Sequence, residues 1–379
     1  MSWLLGVGQT RFGKLEGQET LDLMSSAAEQ ALQDAHLERS DIDGLICGYS
    51  TVLPHLMLST LFAEHFGLSP QYAHSVQLGG ATGFAMLMLA HALVEAGVAK
   101  RILVVAGETR ATGQSSDSAI QTLAQVGHKD YEVPLGATVP AYYALAASRY
   151  MHDFGIPEAE LAEIAVLMRR NAVLHPDAHF RDPISIDHVM ASLPIATPLK
   201  LLDCCPISDG GVAFVVGWEK PADVALRIRS AAQAHTHQHI SAAPDLIASG
   251  AGISSATALR DAGIDLGDVE YAAIYDSFTI TLAMLLEEIG FCERGMAGRY
   301  VRDGYFDPNG SIPLNTHGGL LSFGHCGVAG ALAHLVETAR QMGGRAGTRQ
   351  IAKLPKLALL HGDGGILSSH VSLVLERTS

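Results

Sequence analysis

Two polar side chains in short motifs carry groups that can move protons. Tyr275 lies in Tyr-Asp-Ser-Phe after a buried apolar run, and His325 lies in Gly-His-Cys-Gly, a turn in which a bulky core residue would fit poorly. A positioned phenol or imidazole can act as a general acid or base, although neighbours would have to lower the tyrosine pKa from its ordinary value of about 10. We therefore take Tyr275 and His325 as the candidate catalytic pair.

Other polar residues near this pair have structural interpretations of equal standing. We expect the carboxylate of Asp276 to brace its turn, and His317, in Asn-Thr-His-Gly-Gly, can simply bond a turn carbonyl. His361, in Leu-Leu-His-Gly-Asp-Gly-Gly, should lie beside the pocket rim or cap a turn. Cys326 is adjacent to His325, and neighbouring residues rarely point the same way from a turn. These residues are secondary candidates.

The histidine and cysteine spacings do not favour a metal site. His235, His237 and His239 alternate, which on one strand would place all three on the same face, a geometry that can hold a transition metal. No carboxylate or cysteine ligand accompanies them, so we interpret them as an exposed strand entry after a linker. The five cysteines form no Cys-x-x-Cys pair and are odd in number, which argues against a disulfide framework. We expect no metal and no cofactor.

An internal repeat predicts the elements that must position the candidate pair. Residues 27–50 and 254–277 share Leu, Asp and Ala positions at one constant offset, and each copy reads as an amphipathic helix, an Asp-rich turn and a buried strand. A second repeated unit has a Gly-Gly turn that opens a helix, followed by a continuous apolar strand such as 102–106. Such strands suit sheets that helices cover on both faces.

The repeat divides the chain into two related α/β halves, residues 1–225 and 226–379. The polar, proline-punctuated stretch of about 111–206, with a helix opened by Pro157, is interpreted as an insertion that forms a lid or loop domain over the site. Two helix N-termini related by a pseudo-twofold axis can aim their unpaired N–H groups at one point. That arrangement suits the stabilisation of an oxyanion or enolate.

Charge and hydropathy exclude several function classes. The 379 residues carry a formal net charge of −14 and no block of Lys or Arg, so neither a nucleic-acid footprint nor a polybasic membrane patch is present. The N-terminus lacks the basic region of a signal peptide, and no stretch reaches the roughly 18 apolar residues of a membrane span. We expect a cytoplasmic protein.

The repeat and several motifs together resemble the thiolase superfamily over essentially the whole chain. The motifs are Val-Gly-Gln-Thr-Arg-Phe-Gly-Lys near the start, Leu-Leu-Asp-Cys-Cys-Pro-Ile-Ser-Asp-Gly-Gly at the end of the first half, and Asn-Thr-His-Gly-Gly with the segment after it. Within the superfamily the chain is similar to sterol-carrier-protein thiolases and lipid-transfer-protein-like steroid side-chain aldolases. The resemblance implies a five-layered αβαβα thiolase fold and a homodimer. It also implies a small zinc-ribbon and OB-fold subunit as a further partner.

The chain departs from that family where a thiolase carries its cysteines. Gly80, in Leu-Gly-Gly-Ala-Thr-Gly, stands where the nucleophile would be, while Tyr275 and Ser277 replace the His and Cys of a His-Asp-Cys-Phe motif. His325 is kept from a Gly-His-Pro motif, with Cys326 in place of the proline. A glycine cannot hold an acyl group, and a serine hydroxyl is a far weaker acid than a thiol, so ordinary thiolysis is disfavoured.

The same comparison supplies the residues expected to shape the site. Thr82 could substitute as a nucleophile, but a hydroxyl at a helix start is more often a cap. The complete candidate set is Tyr275 and His325 as catalytic residues, Gly80, Asn315, Gly319, Asp276 and Ser277 as oxyanion or site-shaping residues, and His317, His361 and Cys326 as further candidates.

These residues favour an acyl-CoA carbon–carbon bond enzyme that works without a thioester intermediate. Retro-aldol cleavage of a β-hydroxyacyl-CoA, in lipid or steroid side-chain catabolism, fits best because a base and an oxyanion pocket suffice for it. One alternative is an acyl-CoA acyltransferase that uses a non-standard residue. Another is a catalytically silent acyl-CoA-binding or scaffold subunit of a hetero-complex. The sequence does not identify the acyl group.

Overall fold

The computed structural model of the chain describes residues 1–222 and 224–378. The strands are β1 Ser2–Gln9, β2 Gly44–Gly48, β3 Tyr72–Val76, β4 Arg101–Thr109, β5 Pro194–Ala196, β6 Leu199–Lys200, β7 Asp209–Gly217, β8 Ala225–His235, β9 Tyr271–Ile274, β10 Leu357–Gly364 and β11 Ser369–Thr378. The α-helices are α1 Thr20–Asp34, α2 Leu58–Phe66, α3 Thr82–Glu95, α4 Ser116–Ala124, α5 Val139–Phe154, α6 Glu158–Val173, α7 Ile186–Ala191, α8 Ala251–Ala262, α9 Thr279–Ile289, α10 Ala297–Arg302 and α11 Val328–Met342.

Nine strands form one continuous ladder that is built from two similar parts. The order is β3-β2-β4-β7-β1-β8-β11-β10-β9, so β2-β4-β7-β1 in the first part is matched by β9-β10-β11-β8 in the second. The parts meet where β1 pairs with β8 in a short antiparallel ladder at Ser2–Leu4. The equivalent orders confirm the two pseudo-repeated halves expected from the sequence.

Helices sandwich the sheet and separate its two parts. Helices α3 and α11 contact each other and strands of both parts, while α1 packs on β1, β4 and β7, and α8 packs on β8 and β11. This gives the succession helix, sheet, helix, sheet, helix of the predicted thiolase fold. The buried apolar strands fit this arrangement, because every residue of β4 except Arg101 is buried.

The repeated helix-turn-strand unit is confirmed, with one correction in the second repeat. Helices α1 and α8 are followed by β2 and β9 as expected, and α6 begins directly after Pro157. The Gly318-Gly319 turn, however, does not open the long helix. It opens a single π-helical turn, Gly319–Phe323, and α11 starts only at Val328. The expected helix is interrupted at Gly324 and Gly327, whose φ angles of 136° and 62° are not helical.

Strand β8 bears on two further expectations, the shared face of three histidines and the boundary between the two halves. Strand β8 ends at His235, so His237 and His239 lie outside it and the three histidines do not share a strand face. The predicted division between residues 225 and 226 falls after the first residue of the same strand, and it stays a prediction.

The segment between β4 and β7 holds α4–α7 and the β5–β6 hairpin. Within the described residues, no helix has both the length and the apolar character needed to cross a bilayer.

Close packing of α1 on β1 depends on glycines in the strand. A Cβ added at Gly8 would lie 2.2 Å from the carbonyl oxygen of Ala27 and 2.5 Å from the backbone nitrogen of Ala31. Backbone atoms cannot move aside as a flexible side chain could, so the helix itself would have to shift.

We therefore expect Gly8→Ala to lower the free energy of unfolding by about 1–3 kcal/mol, the usual range for overpacking a core. Urea unfolding followed by circular dichroism measures the change. Gly267→Ala is the matched control, because a Cβ there meets no atom within 4 Å. Equal stability of the two variants would contradict this account of the α1–β1 contact.

Candidate functional site

A pocket of about 280 Å³ lies where strand ends and helix starts from both halves converge. Its wall includes Glu108 at the end of β4, Tyr275 directly after β9 and Gly365 directly after β10. Gly80 lies just before α3 and Gly327 just before α11. The two helix N-termini of the halves therefore meet at one pocket, as the repeat predicts.

The inserted segment supplies an apolar wall to the same pocket. Leu123 and Val126 lie in and after α4, and Val139, Pro140 and Tyr143 belong to α5. The ring of Tyr143 stacks on Phe278 with ring centroids 4.4 Å apart. The segment thus covers the site, as expected of a lid or loop domain.

Tyr275 and His325 form a hydrogen-bonded pair in this pocket. The phenol oxygen of Tyr275 lies 3.1 Å from Nε2 of His325, and the two rings meet edge to face. The backbone N–H of Tyr275 donates to the carbonyl of His361, so the tyrosine is fixed to the middle of β10. The structure therefore brings together the two residues that the sequence selected.

Gly80 leaves the space that the phenol occupies. A Cβ at residue 80 would lie 2.3 Å from the Tyr275 hydroxyl and 2.4 Å from the carbonyl oxygen of Asp363. No side chain, and therefore no nucleophilic sulfur, can stand at position 80 while Tyr275 holds this position. A side chain at residue 80 and the phenol of Tyr275 therefore exclude each other, and the backbone carbonyl of Asp363 closes the same space.

Thr82 does not replace that nucleophile. Its hydroxyl donates to the carbonyl of Gly79 at 2.6 Å and accepts from the N–H of Leu78 at 2.7 Å. Both bonds hold the turn before α3, although Thr82 is the first residue of the helix and not its N-cap.

Both members of the pair are neutral at neutral pH. Burial, together with the nearby Cys205 and Asp363, raises the pKa of Tyr275 well above 10. Burial and the charge of Arg110 lower the pKa of His325 to about 3. The expectation that neighbours lower the tyrosine pKa is therefore wrong, because desolvation dominates. The phenol is the natural donor and the imidazole Nε2 the acceptor.

Asp276, Gly319 and Asn315 brace the pair from behind the pocket wall. The buried carboxylate of Asp276 accepts from the N–H of Leu320 at 2.7 Å, and a Cβ at Gly319 would lie 2.0 Å from that carboxylate. Asn315 bonds both the N–H and the carbonyl of Ile274, the residue before Tyr275. These residues shape the site without lining it, whereas Ser277 lines the pocket itself.

Three further candidates lie outside the pocket within the described part of the chain. His317 is buried against Nδ1 of His334, at 3.2 Å. His361 lies between Ser372 and His370, so the expected position at the pocket rim is wrong. Cys326 is fully buried and does not line the pocket. All three belong to the core that supports the site.

The sequence missed three polar residues that line the pocket. Glu108 and Arg110 come from Gly-Glu-Thr-Arg at the end of β4, and polar residues directly after an apolar strand are the signal that could have found them. Cys205, from the Leu-Leu-Asp-Cys-Cys-Pro motif, also lines the pocket. Burial raises the pKa of its thiol to about 12, which keeps it protonated.

Family models match both halves of the chain. The model described as thiolase, N-terminal domain matches residues 4–220, and the model described as thiolase C-terminal domain-like matches residues 232–377. Their order and extent agree with the two parts of the sheet.

Similar proteins include both acyltransferases and aldolases. The chain is 31% identical to an acetyl-CoA acetyltransferase of Methanothermobacter thermautotrophicus, over 97% of this chain and 98% of that protein. It is 30% identical to a steroid side-chain-cleaving aldolase of Thermomonospora curvata, over 89% of this chain and 90% of that protein. A solved structure described as an Ltp2-ChsH2(DUF35) aldolase superposes with a TM-score of 0.85 at 28% identity, covering 99% of this chain and 97% of that chain.

The buried histidines make the protein sensitive to acid, and His361 allows a direct test. Its pKa is held well below 6.5 by burial and by His370, so below about pH 6.5 the unfolded chain binds a proton that the folded chain does not. Stability from this residue is therefore complete above pH 6.5 and is lost as the pH falls.

We expect the stability difference between wild type and His361→Gln to move in favour of the variant by up to about 2 kcal/mol between pH 7.5 and pH 5. Urea unfolding at both pH values measures it. A difference that is independent of pH would contradict the neutral state of His361.

Proposed function

Because the chain belongs to the thiolase superfamily, we propose that it is an acyl-CoA lyase that cleaves a β-hydroxyacyl-CoA by a retro-aldol reaction. The observation that carries this proposal is the Tyr275 hydroxyl, which fills the space that a side chain at residue 80 would need. The similarity to two proteins described as aldolases supports it. The products are a shorter acyl-CoA and a ketone or aldehyde.

The chemistry follows from the Tyr275–His325 hydrogen bond. The β-hydroxyl of the substrate gives its proton to the phenol oxygen as the phenol proton passes to Nε2 of His325. The Cα–Cβ bonding electrons move into the thioester to form an enolate, and a carbonyl forms at Cβ. The proton then returns through the phenol to Cα, so no atom of the enzyme is bonded covalently to the substrate.

Helix starts at the pocket suit the negative charge of the enolate. Gly80 precedes α3 and Gly327 precedes α11, and both line the pocket, so the positive ends of the two helix dipoles lie close to it. Burial disfavours the imidazolium formed on His325, but the enolate charge offsets it when both arise together. The coenzyme A thioester is the substrate, and the proposal requires no further cofactor.

The acyl group is proposed to come from a lipid or steroid side chain, the class named for the aldolase of Thermomonospora curvata. The apolar residues that the insertion contributes to the pocket fit a largely hydrocarbon acyl group.

Acyl transfer is the second candidate function, and Cys205 is the observation that favours it. Its thiol lines the pocket with Tyr275, and a relative with 31% identity is named an acetyl-CoA acetyltransferase. The raised pKa of Cys205 weighs against a nucleophilic role, because the thiolate is the reactive form. A silent acyl-CoA-binding subunit is the third candidate and would show binding without turnover.

We expect Tyr275→Phe to lower kcat/KM for retro-aldol cleavage by about 10²–10⁴-fold, the usual contribution of one positioned proton donor or acceptor. The variant removes one oxygen from a fixed ring, so the fold should be retained. Tyr131→Phe is the matched control, because Tyr131 is 70% exposed in the inserted segment. Product formation from a β-hydroxyacyl-CoA, followed by chromatography, measures the effect.

The same reaction mixtures separate the rival functions by intact-protein mass spectrometry. Retro-aldol chemistry leaves the mass of the protein unchanged at every time point. A thioester adduct on wild type that disappears in Cys205→Ala would establish acyl transfer instead. Unchanged cleavage by Tyr275→Phe would remove the basis of the proposed mechanism.

We also propose two assemblies. Strand β3 is a sheet edge whose outer side is open in the described chain, whereas the other edge, β9, is covered by a bridge between Ala272 and Leu314. An open edge can pair with a second copy, so β3 is the proposed homodimer contact. The solved aldolase described as Ltp2-ChsH2(DUF35) supports a second, small subunit, and a zinc-ribbon and OB-fold protein is the proposed partner.

Light scattering tests the β3 contact. We expect the mass of a dimer for wild type and a shift toward monomer for His74→Asp, which places like charges on an exposed position of β3 close to the twofold axis. His152→Asp, on the surface of α5, should leave the mass unchanged. A monomeric wild type would refute the dimer, and a DUF35 protein that does not co-elute with the chain would refute the hetero-complex.

A further inference from the structure

Arg110 is a buried cation whose hydrogen-bond donors are unused. Its side chain is 9% exposed and lines the pocket that holds Tyr275 and His325. Among the described residues, Nε of Arg110 has no hydrogen-bond partner, and no hydrogen bond joins the rest of the guanidinium to another residue. Leaving the buried Nε–H unpaired is unfavourable, and the guanidinium has four further N–H donors that no described residue uses.

Glu108 offsets the charge of Arg110 but accepts no hydrogen bond from it. The distance from Nε to Oε2 of Glu108 is 3.8 Å, which is too long for a hydrogen bond. The other oxygen of Glu108 already accepts from the hydroxyls of Ser50 and Thr51, at 3.0 and 2.8 Å. A Cβ at Gly327 would lie 2.0 Å from Oε2, so the carboxylate is wedged between β4 and the start of α11. It is not free to move onto Arg110.

The rest of the pocket narrows the chemistry of a ligand for Arg110. Much of the pocket wall is apolar, because it is formed by the insertion, Phe278 and Ile366. Burial keeps three of its titratable residues neutral: Tyr275, His325 and Cys205. A planar guanidinium with free donors matches the two oxygens of a carboxylate. An acyl group that fits this pocket is therefore mostly hydrocarbon and carries one carboxylate.

We propose that Arg110 binds a carboxylate carried by the acyl group, so that the pocket selects CoA thioesters with a second carboxylate over their neutral counterparts. This inference rests on the proposed acyl-CoA site and names its substrate class. Binding a carboxylate at Arg110 would also make His325 easier to protonate during the reaction. The charge of Arg110 helps to keep His325 unprotonated, and a bound carboxylate offsets that charge when a proton has to be accepted.

Binding measurements test the proposal without requiring turnover. Isothermal titration calorimetry compares glutaryl-CoA with pentanoyl-CoA, and adipoyl-CoA with hexanoyl-CoA, which differ only in a terminal carboxylate or methyl group. Two chain lengths allow for the unknown reach to Arg110, and free CoA reports any contact with the phosphates. We expect wild type to bind at least one dicarboxylic thioester about tenfold or more tightly than its neutral counterpart.

Arg110→Met should reduce this preference to about twofold or less while the affinities for neutral thioesters and free CoA stay unchanged. Arg110→Lys keeps the charge but loses the planar fork, so it should retain part of the preference and remains informative if the methionine variant does not fold. Arg149→Met, on the exposed face of α5, removes the same formal charge outside the pocket and should behave as wild type.

Two results would overturn the inference. One is equal binding of acidic and neutral thioesters by wild type at both lengths. The other is an equal loss of affinity for every ligand, free CoA included, in Arg110→Met, which would place Arg110 at the coenzyme. Failure of the proposed function looks different: the preference persists but no β-hydroxyacyl-CoA is cleaved. Equal cleavage of acidic and neutral substrates would overturn the Arg110 inference alone.

Discussion

The contact between the Tyr275 hydroxyl and the backbone at Gly80 constrains the whole site. The turn before α3 approaches the end of β9 so closely that a single carbon on residue 80 would lie 2.3 Å from the phenol oxygen. A nucleophile cannot be added without moving the tyrosine, and the tyrosine cannot enter unless residue 80 is glycine. Residue 80 therefore has no side chain next to substrate, and the phenol of Tyr275 takes that position.

The fold holds this contact rigid from behind. Asn315 bonds the last residue of β9, Ile274, and the carboxylate of Asp276 caps the start of the π-helical turn at Leu320. The glycine at residue 319 is needed because that carboxylate lies where a Cβ would be. A buried, fully bonded brace of this kind keeps the phenol and imidazole aligned when substrate enters.

The sequence was sufficient for the fold and for the Tyr275–His325 pair, since both depend on patterns that are local or repeated. The helix-turn-strand repeat predicted α1, β2, α8 and β9, and the motif departures identified the pair. Arg110 and Cys205 were missed because only the tertiary fold brings β4 and the end of the insertion to one pocket. His361 was misplaced at the rim because the side chain's direction on β10, toward His370, is not encoded in its glycine-rich neighbours.

Because burial keeps both Tyr275 and His325 neutral, protonation of His325 has to be supported by the charge of the substrate. A proton that moves from a β-hydroxyl toward His325 creates a cation and an enolate in a pocket whose resident charges are the Glu108–Arg110 pair. One carboxylate oxygen of Glu108 accepts hydrogen bonds from Thr51 and Val52. Glu108 therefore offsets the charge of Arg110 but accepts no hydrogen bond from its N–H groups. A substrate that brings its own carboxylate changes this balance twice, by bonding the free guanidinium and by easing protonation of the imidazole. Substrate selection and proton transfer are then linked through one arginine, so a neutral acyl group of the same length should be a poorer substrate even when it fits the apolar wall.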